Sequence, residues 1–468
     1  MKKFHIIAAA AKNYVIGNKN NIPWHYKEDF KYFKRITSGL SKEKKNVVIM
    51  GMNTFRSIGK PLPGRINLVF DRDTKHMEQK ADNLFHINDG YMMDDDSTCK
   101  LFLDVLNGHD YNEIFVIGGQ RVYEQTIGSS FLDKVYLTRI DKEVEGDTYF
   151  PRLYDHFDLI SSEKGENKEL EFNVYQKVDR PHPEYQYLRL IESILDTEEV
   201  YEDRTGTGIK SVFGTQTHFD ISRHIPLLTT KRMFTRSVIE ELLWFLRGET
   251  DNKILQEKGV HIWDGNTSRE FLDKMGFTDR EEGDGGPIYG FQFRHCGAEY
   301  KDCHTDYTGQ GIDQVANVIR MIKEKPESRR MIINLWNVQD LDKMVLSPCH
   351  AMYQFRVYGD RLCCSMYQRS GDVGLGVPFN IASASIMTHI FAKLTGKKPW
   401  KLVHTIGDAH VYTDHIEPLK RQLKRKPYSF PLFEIEDRGQ EAIEDFRLED
   451  FIIKGYEHHK GIKMKMAV

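Results

Sequence analysis

The chain is poor in cysteine, with six in 468 residues. They form neither the dense framework of a disulfide-stapled secreted domain nor the paired spacing of a zinc ribbon, so a reducing compartment is expected. One arrangement invites a metal: His295-Cys296 with Cys303-His304 puts four soft ligands within ten residues. Its spacing matches no common knuckle, so the expectation is a loop of unrelated polar residues and no metal. Charge of one sign is also lacking, because 66 basic and 69 acidic residues leave a formal net charge of −3. That argues against a DNA-coating protein or a polybasic membrane binder, while local basic patches can still hold a small anion. No segment approaches the roughly 20 apolar residues of a membrane helix. The N-terminal MKKFHIIAAAAKNY imitates a signal peptide, but its apolar run (6–11) is shorter than the usual region of about 7–15 residues. A buried first strand is expected instead, in a soluble, cytosolic protein. The sequence has no internal repeat and no low-complexity segment.

The length predicts two or three domains. With 40% hydrophobic and 12% aromatic residues, the chain can bury sizeable cores. Strand-like runs recur early: FHIIAAAA (4–11), NVVIM (46–50), INLVF (66–70), EIFVIGG (113–119) and KVYLTRI (134–140). They are apolar on both faces, as in a mostly parallel central sheet with flanking helices. Helix-like EDFKYFKRIT (28–37) and RVYEQTI (121–127) lie between them, and the acidic run DDD (94–96) reads as a solvated loop. An α/β domain is therefore expected over 1–177. VDRPHPE (178–184) breaks the pattern, and 178–183 reads as a short linker. The rest, 184–468, reads as an α+β domain. Its helix-like stretches are YQYLRLIESIL (185–195), SVIEELLWFLRGE (237–249) and IDQVANVIRMIKE (312–324). Its strand-like stretches are MIINLWN (331–337), AMYQFRVYG (351–359) and RLCCSMYQRS (361–370). Neighbours in a strand point to opposite faces, so one of Cys363 and Cys364 is expected in the core and the other partly exposed.

In the first domain, Pro23-Trp24 ends a Gly/Asn loop, and Asp29 lies in the first turn of the following helix. Phe33 follows one turn later on the same face. A carboxylate beside apolar residues can bind a flat, nitrogen-rich ring. The plainer reading is that Asp29 favours the positive end of the helix. Gly118-Gly119 sits between strand and helix, where a pyrophosphate can approach, although the G-x-G-x-x-G spacing is missing and a tight turn explains it too.

The runs IIAAAAKNYVIGNKNNIPWHYKEDFKYFKRIT, VIMGMNTFRSIGKPLPGRINLVF, VIGGQRVYEQ and EVEGDTYFP together resemble the dihydrofolate reductase family, over about residues 3–177. The resemblance implies that Asp29 binds the pterin ring and supports its protonation, with Thr138 hydrogen-bonded to Asp29. It implies that Ile7 and Phe33 line the ring pocket and that Ala9 and Ile22 flank the nicotinamide, Ile22 on a mobile loop. Arg65 would pair with the folate α-carboxylate. Thr54, Gly118, Gly119 and Arg121 would contact the dinucleotide. Met52 stands where the family usually has Lys or Arg for the NADPH 2′-phosphate; Arg72 and Arg121 remain for that charge, and NADPH is expected.

In the second domain, Cys349 in LSPCHAMYQFRV asks whether it is a core thiol, a metal ligand or a nucleophile. A nucleophile must be a thiolate, and a free cysteine has a pKa of about 8.5, so nearby cations are wanted. Arginines lie beside turn residues in DRTGTG (203–208), SRRMIINLWN (328–337) and QRSGDVGLGVPFN (368–380), a pattern suited to phosphate. Arg329-Arg330 also reads as two surface side chains with buried stems.

With LTTKRM (228–233), ELLWFLRGET (241–250), IWDGN (262–266), GPIYGFQFR (286–294), PCH and GDAHVY (407–412), these segments resemble the thymidylate synthase family from about 184 to the C-terminus. The resemblance makes Cys349 the nucleophile that attacks C6 of dUMP. Arg204, Arg369 and Ser370 would hold the phosphate, with Arg329 and Arg330 reaching it from a partner subunit, which implies a homodimer. Asn380 would read the uracil edge and His350 lie beside the nucleotide. His410 and Tyr412 would hold the deoxyribose hydroxyl. Asp372, beside the nucleotide, would bind the folate pterin, and Trp263 would pack near the folate. Glu241 would organise water for proton transfers and Tyr289 assist removal of the C5 proton. KMKMAV (463–468) resembles a closing tail.

The two resemblances together imply a bifunctional folate enzyme. Its second domain would methylate dUMP with 5,10-methylenetetrahydrofolate, and its first would reduce the dihydrofolate formed, with NADPH. Alternatives are a synthase with an inactive, structural reductase-like half, for which Met52 is the one hint, and a nucleic-acid-binding protein. Near-neutral charge and the lack of an RNA-binding motif oppose the latter.

Overall fold

The computed structural model describes residues 3–38, 44–91, 110–203 and 206–466. The run 94–96 and Arg204 lie outside them. Contacts divide the chain into two compact units, Met1–Arg180 and Pro181–Val468.

The first unit is built on a nine-stranded sheet in the order β10-β11-β8-β1-β7-β3-β4-β6-β5. Its strands are β1 (Phe4–Ala11), β3 (Asn46–Gly51), β4 (Arg65–Asp71), β5 (Met77–Ala81), β6 (Leu84–Asn88), β7 (Ile114–Gly118), β8 (Leu132–Ile140), β10 (Phe157–Lys164) and β11 (Leu170–Lys177); short β2 (Val15–Gly17) pairs with β9 (Thr148–Tyr149). From β8 to β6 the pairings are parallel, while β11, β10 and β5 are antiparallel additions at the edges. Helices Lys27–Ser38, Met52–Ile58 and Gln120–Thr126 connect the parallel strands. The parallel interior explains why β1, β3 and β7 are apolar on both faces. The N-terminal run is thus a strand, wedged between β7 and β8 with Phe4 and Ile6 fully buried.

The second unit has a mixed five-stranded sheet, in the order β12 (Ile209–Asp220), β16 (Lys398–Tyr412), β15 (Arg361–Asp372), β14 (His350–Tyr358) and β13 (Ile332–Asn334). Only β15 and β16 run parallel. The helix Gly376–Leu394 packs on both of these strands. It buries fifteen of its nineteen residues, so it is a central helix and not an amphipathic surface one. Pro378 is tolerated because it falls in the first turn. The helix Thr235–Leu246 contributes Trp244 and Leu246 to the same core and is closed by Gly248, whose φ of +84° favours glycine. In β15, Cys364 is buried and Cys363 half-buried, on opposite faces as expected.

Two expectations change. The strand expected over 331–337 shrinks to β13, Ile332–Asn334, because the chain leaves the sheet after pairing with β14. His182, inside the expected linker, is buried against Phe430 in the second unit. Glu184 anchors this start: its carboxylate accepts from the amides and hydroxyls of Thr229 and Thr230 at 2.5–2.9 Å.

Candidate functional site

In the first unit, strand register sets Ala9 on β1 beside Thr138 on β8. The Thr138 hydroxyl hydrogen-bonds Asp29, which stands in the first turn of Lys27–Ser38. Burial raises the Asp29 carboxyl above its ordinary pKa, against the opposing effect of that hydrogen bond. Ile7 belongs to a buried apolar cluster on which Ala9, Trp24, Phe33 and Met52 pack. A half-buried carboxylate beside an apolar wall can bind a planar, protonatable ring. Met52 points its side chain to this cluster, so its position serves packing. Ile22 is 51% exposed, in a loop where Lys19 and Asn20 take φ of +48° and +61°.

Arg65 opens β4 and is almost wholly buried. It donates from Nη1 to Thr37 Oγ1 at 2.8 Å and from Nε to the Pro63 carbonyl at 3.1 Å. These bonds aim the guanidinium and leave Nη2 for an incoming carboxylate.

Gly118-Gly119 ends β7 and leads into Gln120–Thr126. A Cβ on Gly118 or Gly119 would stand 3.2 or 3.0 Å from Thr54 Oγ1, and Gly118 has φ +140°. The three residues therefore form a cradle that admits a ligand only where side chains are missing, which fits a dinucleotide. Arg72 and Arg121 meet at Asp89, whose Oδ2 lies 3.1 Å from Arg72 Nε and 3.8 Å from Arg121 Nη1.

In the second unit, Cys349 immediately precedes β14. Its amide N–H donates to Tyr289 Oη at 2.7 Å, and its carbonyl accepts from the Arg369 amide at 2.8 Å. The Arg369 guanidinium donates to the Pro348 and Ser347 carbonyls, both at 2.9 Å, and its Nη2 is 4.0 Å from Cys349 Sγ. Tyr289 packs on Trp263, and the Trp263 indole N–H donates to Glu241 at 2.8 Å. Burial pushes the Glu241 carboxyl up to about 7. A carboxyl that titrates near neutrality can take or give protons.

On the other side, Tyr289 faces His350, which is pushed down to about 4 by burial despite a hydrogen bond with Asn380. His350 is thus neutral at pH 7. Asn380, on the helix Gly376–Leu394, accepts at Oδ1 from Gln368 Nε2 at 2.9 Å. Gln368 Oε1 contacts His404 Nε2 at 2.8 Å. Register pairs Asp372 with His410 and Ser370 with Asp408 across β15 and β16, and His410 meets Asp408 at 3.0 Å and the Tyr412 ring edge-on. Asp372 accepts from the Gly374 amide at 2.8 Å.

The structure thus gathers Cys349, Tyr289, Trp263, Glu241, His350, Asn380 and Arg369 into one connected group. Arg329 and Arg330 are outside it. Both are exposed ahead of β13, and neither guanidinium has a hydrogen-bond or ion-pair partner among the described residues.

Sequence reasoning missed Gln368 and His404, which fix the Asn380 amide. A polar pair inside otherwise apolar strands was the available signal. It missed Lys231, buried with Nζ on the Gly374 carbonyl at 2.5 Å. It also missed His415, buried between Asp372 and the Lys465 carbonyl, which ties the tail to the site at 2.7 Å. The tail's last two residues lie outside the described ones.

The thymidylate synthase family model matches residues 185–468 and the dihydrofolate reductase family model residues 3–178. The chain is 42% identical over 480 residues to a bifunctional dihydrofolate reductase-thymidylate synthase of Paramecium tetraurelia, covering all of this chain and 99% of that protein. It is 41% identical to bifunctional dihydrofolate reductase-thymidylate synthase 1 of Arabidopsis thaliana and 42% identical to the Leishmania major protein of the same description. All of this chain and 96% of each relative are covered.

Proposed function

Because the chain belongs to the thymidylate synthase family and carries a dihydrofolate reductase domain ahead of it, we infer that it is a bifunctional folate enzyme. The second domain methylates dUMP to dTMP with 5,10-methylenetetrahydrofolate and releases dihydrofolate. The first reduces dihydrofolate to tetrahydrofolate. The observation that carries the reading is the Cys349 group, with a cation at the sulfur and a carboxyl titrating near 7, in a chain whose other unit presents Asp29 beside an apolar wall.

In the synthase site, Cys349 Sγ attacks C6 of dUMP, because uracil C5 is too unreactive alone. C5 then takes the one-carbon unit. Arg369 and Ser370 hold the phosphate, with Arg204 also assigned there. Asn380, its Oδ1 occupied by Gln368, presents its N–H group to the uracil edge beside neutral His350. His410 and Tyr412 hold the sugar hydroxyl, and Asp372 and Trp263 the folate. Glu241 and Tyr289 serve the proton transfers.

In the reductase site, Asp29 holds the pterin and supports its protonation, with Thr138 fixing the carboxyl. Ile7 and Phe33 line the ring, and Arg65 takes the α-carboxylate. Thr54, Gly118, Gly119 and Arg121 would hold NADPH, with Ala9 and Ile22 at the nicotinamide and Arg72 near the 2′-phosphate. When bound, NADPH supplies the hydride. The intact Asp29–Thr138 pair and the aimed Arg65 oppose an inactive reductase half.

We assign residues 1–177 to the reductase, 178–183 to a short linker whose end, from His182, already packs into the second unit, and 184–468 to the synthase. Two exposed guanidiniums, Arg329 and Arg330, with no hydrogen-bond or ion-pair partner among the described residues, support a homodimer in which each subunit completes its partner's phosphate site. Five free cysteines among the described residues support a reducing, cytosolic setting; no helix there is long and apolar enough to cross a membrane. Two assays test the function: NADPH oxidation driven by dihydrofolate, and dUMP-dependent dihydrofolate formation. Loss of either one refutes the corresponding half.

A further inference from the structure

His295-Cys296 and Cys303-His304 do not converge as one set of four. Instead, Cys303 and His304 meet a residue from far earlier in the chain, Asp251, with one ligand atom of each within 4.8 Å of the others. We propose that Asp251, Cys303 and His304 bind a borderline-soft divalent cation, zinc foremost, at a site that shares no residue with the Cys349 group.

The donor set is the first argument. A thiol, an imidazole and a carboxylate together select zinc-like ions over calcium or magnesium, which want oxygen alone. Three protein donors leave one position for water.

The second argument is that the donors are positioned from outside the triad. The buried Asp251 accepts the Lys253 amide at Oδ1, 2.9 Å away, and its own carbonyl accepts the Trp244 indole N–H at 3.0 Å. The residue is thus tied to the core of the unit. His304 is set by a turn in which its amide donates to Asp302 Oδ1 at 2.9 Å. Its ring Nε2 lies 2.8 Å from Glu281 Oε2. A carboxylate behind an imidazole is how proteins orient a metal-binding histidine: with Nε2–H given to Glu281, Nδ1 carries the lone pair.

The third argument is charge. Asp251, Asp284 and Glu281 all act on Cys303 at close range. Asp284 is buried and already accepts Tyr300 Oη at 2.6 Å and the Gly286 amide at 2.7 Å. Lys253 pairs with Glu281, which also faces the His304 ring. With that imidazole neutral, three clustered carboxylates favour a divalent ion, which would offset their charge. The ion would clip the 296–312 loop, closed at its base by the Cys296–Ile312 bridge, to the segment that begins the helix Asn252–Glu257. Its binding displaces the thiol proton of Cys303.

Titration of the metal-free, full-length protein with Co²⁺ tests this, because cobalt bound to a thiolate gives a charge-transfer absorption band. One ion per chain is expected, displaced by Zn²⁺. Cys303→Ser should abolish the band, and His304→Ala should weaken affinity at least about 10-fold. Neither residue belongs to the dUMP site, so both variants should keep methylation, which also reports that they fold. No thiolate band in the parent protein, or an undiminished band in Cys303→Ser, overturns the site. Should Cys303→Ser fail to fold, thermal unfolding of the parent and His304→Ala with and without Zn²⁺ decides. A rise confined to the parent upholds the site, and an equal rise or none rejects it.

Discussion

Arg369 Nη2 stands 4.0 Å from Cys349 Sγ while the same guanidinium holds the Ser347 and Pro348 carbonyls. One planar fork thus shapes the turn that carries Cys349 and places a cation at its sulfur. Lysine has the charge but not the fork. Arg369→Lys should lower kcat/KM for methylation by about 10- to 100-fold, the worth of one or two charged hydrogen bonds. It should also slow alkylation of Cys349 by iodoacetamide at pH 7. Unchanged alkylation with lost activity would confine Arg369 to phosphate binding.

Asp29→Asn should largely abolish dihydrofolate reduction near pH 7 and leave methylation intact. Asparagine fills the same space and still hydrogen-bonds Thr138, but it cannot stabilise a protonated ring. Near-normal reductase turnover in the variant would sink the assignment of Asp29.

NADPH should win over NADH although Met52 packs inward, because Arg72 and Arg121 converge. Asp89 now sits between them, so a 2′-phosphate must compete with its carboxylate. Asp89→Asn should therefore lower the KM for NADPH about 2- to 5-fold at low salt, with little change for NADH, since exposed pairs are worth up to about 1 kcal/mol. The ratio of kcat/KM for the two cofactors checks both statements. A ratio near one in the parent protein would move the phosphate site elsewhere.

The parallel interior of the first sheet was legible because strands buried on both faces read as unbroken apolar runs; β1, β3 and β7 fall where those runs lie. Edge strand β5, MEQKA, was not, since four of its five residues are exposed and carry no alternation. β16 escaped because its middle mixes His404, Thr405 and Asp408 with apolar residues, a pattern set by site contacts on a central strand. Cys349 and Asp29 drew notice from their local surroundings, but their proposed roles came only from the family resemblances of the longer segments. Gln368, His404 and the meeting of Asp251 with Cys303 depend on long-range packing, which no local period encodes.

Glu241 should leave a mark on stability. Its folded pKa, about 7, exceeds the ordinary carboxylate value, so the folded protein binds its proton more tightly than the unfolded chain. Stability from this group is then full below about pH 4.3, falls as pH rises, and levels off above 7. Glu241→Gln removes that fall. Relative to the parent, the variant should gain about 2 kcal/mol between pH 4 and 8, allowing for the carboxyl's partial exposure. Denaturant titrations of the second unit at the two pH values check it. Parallel behaviour of the two proteins would mean that Glu241 is ordinary.

Cross-subunit completion of the phosphate site can be read by mixing two impaired proteins. Cys349→Ser should abolish methylation, because a hydroxyl is far less acidic and less nucleophilic than a thiol at pH 7. Arg330→Ala should weaken it by removing a phosphate contact. In a mixed dimer, the site on the Arg330→Ala chain keeps its own Cys349 and receives Arg330 from its partner. That site is whole, while the other lacks both groups. With random exchange half the dimers are mixed, each with one whole site, so roughly a quarter of parental activity should return. If Arg330 served its own subunit, no site in the mixture would hold both groups. A mixture no more active than its components, with exchange verified by tagged subunits, would therefore reject donation across the dimer. Methylation by purified Cys349→Ser alone would reject the nucleophile.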